Sequence, residues 1–142
     1  MIETDELQIK LQIADRTIEG SGGPYLEWLQ FRVQAAVPGF TADVKWAAMP
    51  MELLKFRDEL TLMDKMVPDA KAKLKGIESG VTVLLKLGHR GQIQGEYEIT
   101  DEYSNPNGAT LKGEFTIDQS FLRNIIAEVD ALLAYPARRL DA

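Results

Sequence analysis

Long stretches of this chain alternate apolar and polar residues with a period of two, the spacing of a strand that buries one face and wets the other. Leu7, Ile9, Leu11 and Ile13 alternate with Gln8, Lys10 and Gln12. Leu29, Phe31, Val33, Ala35 and Val37 stand against Trp28, Gln30, Arg32 and Gln34, and Phe40, Ala42, Val44 and Trp46 against Thr41, Asp43 and Lys45. A flexible break, Gly20-Ser21-Gly22-Gly23-Pro24, separates the first run from the second. Pro38-Gly39 is a turn dipeptide between the second and third. A two-residue loop there pairs Val37 with Phe40, Ala35 with Ala42 and Phe31 with Trp46, so that every apolar side chain lands on one face. The dipeptide is not of the primed hairpin type, so register is better determined than loop geometry.

The period then changes. From Pro50 to Met66, apolar residues fall at Leu53, Phe56, Leu60 and Met63, with Leu54 and Val67 flanking, which is one stripe on a helix. Pro50 suits a first turn and Pro68 cannot continue the helix. Four strand-like runs follow, at 70–77, 81–88, 91–100 and 109–117. At Gly88-His89-Arg90-Gly91, a two-residue loop would set apolar against polar along the whole ladder. A three-residue loop pairs Leu87 with Ile93, Leu85 with Gly95 and Val83 with Tyr97, and puts Gly91 at a left-handed position. The next hairpin pairs Gly95 with Phe115, Tyr97 with Gly113 and Glu98 with Lys112, so that two aromatics each cover a cross-strand glycine. The same register opposes Glu96 to Glu114, an unfavourable like-charge pair. Asn105-Pro106-Asn107-Gly108 supplies the loop. A final helix runs from Asp118, a natural N-cap, to Leu133, with Phe121, Leu122, Ile125, Ile126, Val129, Leu132 and Leu133 as its apolar stripe. Tyr135-Pro136 ends it. The expectation is one α+β domain over residues 1–142, mainly antiparallel sheet of about seven strands in the order βββαββββα.

Composition narrows the chemistry. No cysteine is present, which excludes a disulfide framework, thiolate metal sites and a cysteine nucleophile. A single histidine, His89, leaves no histidine pair for a metal, and neither an orienting carboxylate nor a nucleophile is nominated beside it, so a solvated turn residue fits better. We expect no enzyme activity, no metal and no cofactor. Sixteen Lys and Arg against 22 Asp and Glu give a net charge of −6, a poor footprint for nucleic acid and a reasonable one for a basic protein partner. The acidic N-terminus is no secretory signal and no apolar run approaches a membrane span, so a soluble cytoplasmic protein is expected.

Several segments carry residue types that sites use. Gly20-Ser21-Gly22-Gly23 lacks the Gly-Lys-Ser/Thr ending of a phosphate loop and precedes a strand, which favours a plain inter-strand loop. Lys71, Lys73 and Lys75 share one strand face near Lys65, a stripe better read as a solvated or aggregation-resistant edge than as an anion site. Glu96, Glu98, Asp101 and Glu102 form the densest acidic segment, able to face a cationic partner though ordinary solvation is the better reading. Trp46 belongs to the core. Trp28, with Tyr25 near it, is either covered by the loop after the first strand or exposed as an interface anchor. Tyr25, Trp28, Glu96, Glu98, Asp101 and Glu102 are therefore the candidate partner-binding residues.

Taken from Glu27-Trp28-Leu29 through Leu53-Leu54-Lys55-Phe56 and Leu60, the later strands, the Asp118–Leu133 helix and the closing Tyr135-Pro136-Ala137-Arg138, the chain resembles the WapI-like family of bacterial immunity proteins over about residues 25–139. It departs from the family pattern at Gly23-Pro24-Tyr25-Leu26-Glu27 and at Ala72-Lys73-Leu74-Lys75-Gly76-Ile77-Glu78, and no family binding residue carries over by position. The resemblance implies a non-catalytic cytoplasmic protein that binds and blocks the toxic domain of a secreted toxin, a basic domain if charge is the guide. Two other readings stay open on the residues alone: a structural or self-associating domain, and a small-molecule binder with a carboxylate-lined pocket.

Overall fold

The structure, a computed structural model, describes residues 1–20, 27–101 and 108–140. The expected breaks at Ser21–Pro24 and Asn105–Asn107, and the candidate residues Tyr25 and Glu102, lie outside the described residues. Alternation and turn chemistry produce the strands where expected. They are β1 (Ile2–Glu3), β2 (Gln8–Ile18), β3 (Glu27–Val37), β4 (Phe40–Ala48), β5 (Lys71–Lys75), β6 (Val81–Leu87), β7 (Gln92–Thr100), β8 (Thr110–Asp118) and β9 (Arg138–Arg139), with helices α1 (Pro50–Asp64) and α2 (Ser120–Leu133). The α+β class and the order of the long elements are as the pattern implied. β1 and β9, of two residues each, are too short to show a period.

The strands form two sheets. The first runs β1-β2-β3-β4, with β9 parallel to β2 on the edge that β1 also uses; the second is the meander β5-β6-β7-β8. All three hairpin registers argued from turn chemistry occur: Val37 opposite Phe40, Leu87 opposite Ile93, and Tyr97 opposite Gly113. In the 89–91 turn, both Arg90 (φ 58°) and Gly91 (φ 75°) are left-handed, where glycine alone was expected.

Alternation in β2 breaks at Ala14, where the pairing with β3 slips by one residue and reverses the faces beyond it. Arg16 thereby shares a face with Leu29, and its guanidinium donates to the Leu133 and Tyr135 carbonyls at 2.6 and 2.8 Å while pairing with Glu27 at 2.7 Å. A cation thus closes the C-terminal end of α2, whose own last turn carries none. Arg138 of β9 donates to Asp15 at 2.6 Å, fastening the Tyr135-Pro136-Ala137-Arg138 segment to the bulged strand.

The inner faces of both sheets and the stripes of both helices share one core. Leu53, Phe56, Leu60 and Met63 are the buried positions of α1, each stabilising the fold by roughly 1.5–3 kcal/mol relative to exposure. Leu122, Ile125 and Val129 are those of α2. Trp46, 1% exposed, stacks on Phe31 with ring centroids 5.4 Å apart and donates from Nε1 to the Glu78 carbonyl at 3.0 Å, tying the first sheet to the β5–β6 connection. The Glu52 carboxylate accepts from the Met49 and Ile77 amides at 3.0 and 2.8 Å, capping α1 and holding that same connection. Asp118 accepts from the Ser120 amide at 2.8 Å, so it serves the start of α2 from two residues before the first helical residue. Val37 and Phe40 overhang the core at the hairpin tip, where Phe40 is 68% exposed.

Candidate functional site

Strand parity decides what the second sheet shows to solvent. Odd-numbered residues of β6 and β7 point into the core, so the even-numbered ones form the opposite face, joined there by Lys71, Lys73 and Lys75 of β5. The registers arrange them in three rows across the sheet: Lys71, Lys86, Gln94, Thr116; Lys73, Leu84, Glu96, Glu114; and Lys75, Thr82, Glu98, Lys112. Among the described residues no helix covers this face; its charged side chains are all exposed, and Leu84, half-buried, is its one apolar residue. Two shallow depressions of about 560 and 280 Å³ share the Leu84, Glu96 and Glu114 row.

The lysine stripe and the glutamate pair, weighed separately in the sequence, therefore lie on one surface, basic on β5 and β6 and acidic toward β7 and β8. Their juxtaposition depends on pairing Lys71 with Lys86, a register that no turn dipeptide announces. The β5 edge is closed from the side: the Glu59 carboxylate of α1 accepts from the Lys73 amide at 3.1 Å.

The outer face of the first sheet handles charge differently. Arg32 holds Asp43 through two bonds of 2.5 and 3.0 Å, and Arg138 holds Asp15. Hydrogen bonding from these guanidinium groups lowers both carboxyl groups below the ordinary value, and raises both arginines. On the second sheet, none of Lys71, Lys73, Lys75, Lys86, Lys112, Glu96, Glu98 or Glu114 makes an ion pair. A face of unpaired charges can attract a complementary surface without first breaking internal bonds.

Of the described candidates, Glu96 and Glu98 project together from β7, and Asp101, half-buried, follows the end of that strand. Trp28 is on the outer face of the first sheet. It is half-buried in a row with Thr17 and Arg138, and so is not on the face that carries the glutamates. His89 is exposed in its turn. Among the described residues, Thr17 is the one buried polar or charged residue. No group of three or more His, Cys, Asp and Glu among them could hold a metal ion, and no helix is long and apolar enough to cross a membrane. Among the described residues the arrangement presents an open face of exposed charge and brings no acid, base and nucleophile together.

Comparison with known proteins adds three findings. No curated protein matches the chain. Two solved structures from Arabidopsis thaliana match at low identity. WHY1 is 14% identical, with a TM-score of 0.40 over 94% of this chain and 87% of its own. WHY3 is 15% identical, with a TM-score of 0.40 over 93% and 83%. The family model that matches, over residues 1–136, is that of the immunity protein WapI-like family.

Proposed function

The chain belongs to the WapI-like immunity protein family, and on that premise we propose that this immunity-type protein works in the cytoplasm without catalysis, covering a cognate toxin domain with the outer face of its second sheet. Glu96 and Glu98, with Asp101 beyond them, face cationic groups of the toxin. The membership carries the immunity role, and the unpaired, exposed charges of Glu96, Glu98 and Glu114 favour this face over the internally paired one of the first sheet. Complementary charge on a rigid sheet speeds encounter and holds register, and steric occlusion does the rest.

The test is co-expression with the toxic domain encoded beside this chain, followed by affinity measurements at low and high salt. Protection of the cells, and binding that weakens as salt rises, is the expected result. The E96K/E98K double variant should weaken binding by roughly 100-fold. A neighbouring toxin that is neither bound nor neutralised would overturn the role. Neutralisation untouched by E96K/E98K would overturn the choice of face and leave the role standing.

A further inference from the structure

Two like-charge pairs on the second sheet go uncompensated among the described residues, Lys71–Lys86 and Glu96–Glu114, and the second borders an open edge. Glu96 and Glu114 stand directly opposite each other on the exposed face, and neither has a cationic partner. Like charges so placed are destabilising. Glu114 lies on β8, the last strand of its sheet, so its other flank faces outward.

The β8 edge is also open in its backbone. Beyond the ladder to β7, no hydrogen bond reaches the main chain of Thr110–Ile117 among the described residues. The inner-face residues tell the same story: Leu111, Gly113 and Phe115 are half-buried, whereas Ile93, Gly95, Tyr97 and Ile99 of β7 are buried. The Tyr97 ring lies over Gly113, its hydroxyl 2.6 Å from where a Cβ would sit, and that hydroxyl makes no hydrogen bond. An unpaired strand edge with partly wetted apolar residues is a template for another strand.

We propose that β8 pairs with β8 of a second copy, antiparallel and centred on Gly113, joining two four-stranded sheets into one of eight strands. A twofold axis normal to the sheet requires residues of equal parity to oppose each other, which leaves few registers. Centring on Glu114 opposes Glu114 to itself, and centring on Lys112 opposes the lysines. Centring on Phe115 pairs Lys112 with Asp118, whose carboxylate already serves the start of α2, and leaves Glu114 uncompensated. Centring on Gly113 sets Lys112 against Glu114 twice, Leu111 against Phe115 twice, and glycine against glycine beneath the two Tyr97 rings. Each exposed row then reads Glu96, Glu114, Lys112, Glu98 across the junction, and the like-charge pair acquires its cation.

The other uncovered edge, β4, also carries neighbouring opposite charges, but its Asp43 is already held by two bonds to Arg32. Its one unpaired charge, Lys45, stands opposite Arg32, so this edge has no free acid to set against a lysine of a second copy.

Sedimentation velocity on the full chain tests this, with each variant checked for folding by thermal denaturation. The wild type should sediment as a dimer of twice 15.9 kDa at ~100 µM chain, as a small interface allows. E114K should raise melting temperature, because the monomer exchanges a Glu–Glu opposition for a Glu–Lys one, yet weaken the dimer at least ~10-fold by opposing two lysines across the junction. The swap K112E/E114K restores opposite charge across the axis and should return the dissociation constant to within ~3-fold of wild type. K45D, on the β4 edge, should change nothing. A wild type that stays monomeric, a dimer indifferent to E114K, a swap that fails to restore it, or a dimer broken by K45D would each overturn the proposal.

Discussion

Replacing Trp46 with phenylalanine probes the seam between the two sheets. The indole is 1% exposed, stacked on Phe31, and bonded through Nε1 to the Glu78 carbonyl. A phenyl ring keeps the stack but vacates roughly 40 Å³, about 1 kcal/mol at about 24 cal/mol per Å³ of residual cavity. The wall around that space is main chain, since Cβ atoms built at Gly76 and Gly80 would lie 3.4 Å from the ring, so collapse is restricted. The Glu78 carbonyl loses its donor, which costs about another 1 kcal/mol. The sum of about 2 kcal/mol should lower the melting temperature by roughly 5–10 °C in a domain of this size. Urea unfolding read by far-ultraviolet circular dichroism and by Trp28 fluorescence measures it, with Trp28→Phe as the counterpart costing under about 1 kcal/mol because its ring is half-buried. A W46F protein within about 0.5 kcal/mol of wild type, or a larger loss from W28F, would refute the claim that this indole joins the sheets.

Two more predictions concern the second sheet and the carboxylates. Gly95→Ala would drive a methyl group into the Phe115 ring that covers it, costing about 1–3 kcal/mol. In a Phe115→Ala background the same change should cost under about 1 kcal/mol, because the clash has gone; additive losses in urea melts would show that the ring does not lie there. Asp15, Asp43 and Asp118 are held below the ordinary 3.8, by hydrogen bonds from Arg138, Arg32 and Ser120 respectively. Since the folded values are depressed, the stability they supply is complete above the unfolded value and is lost as pH falls through the folded ones, a window below about pH 4. The D15N/D43N/D118N variant should show a flatter fall in urea midpoint from about pH 4 to pH 2, and a slope equal to wild type would refute the assignment.

Much of the fold could be read from the chain because its strands bury one face each. Such strands print their orientation as alternation, and a one-residue slip would expose the whole apolar set, so the pairs Phe31–Trp46, Val83–Tyr97 and Tyr97–Gly113 follow from pattern and turn chemistry. Ala14 escaped this logic. A bulge adds one residue without changing composition, so Arg16 reads as a polar strand residue when it actually closes α2. Of the candidate site, the shared direction of Glu96 and Glu98 was legible from parity, whereas the placement of Trp28 on another sheet was not, because strand order is long-range.

The amino-acid order by itself determined the long strands and both helices, which face of each is apolar as far as the bulge at Ala14, and the three hairpin registers, since all of these follow from local geometry and burial. Only the tertiary structure decided that the seven long strands divide into two sheets, that the lysines of β5 and the glutamates of β7 share one exposed surface, and that the β8 edge has no strand partner among the described residues. Those outcomes depend on how elements far apart in sequence pack around a common core, and local periodicity carries no information about that packing.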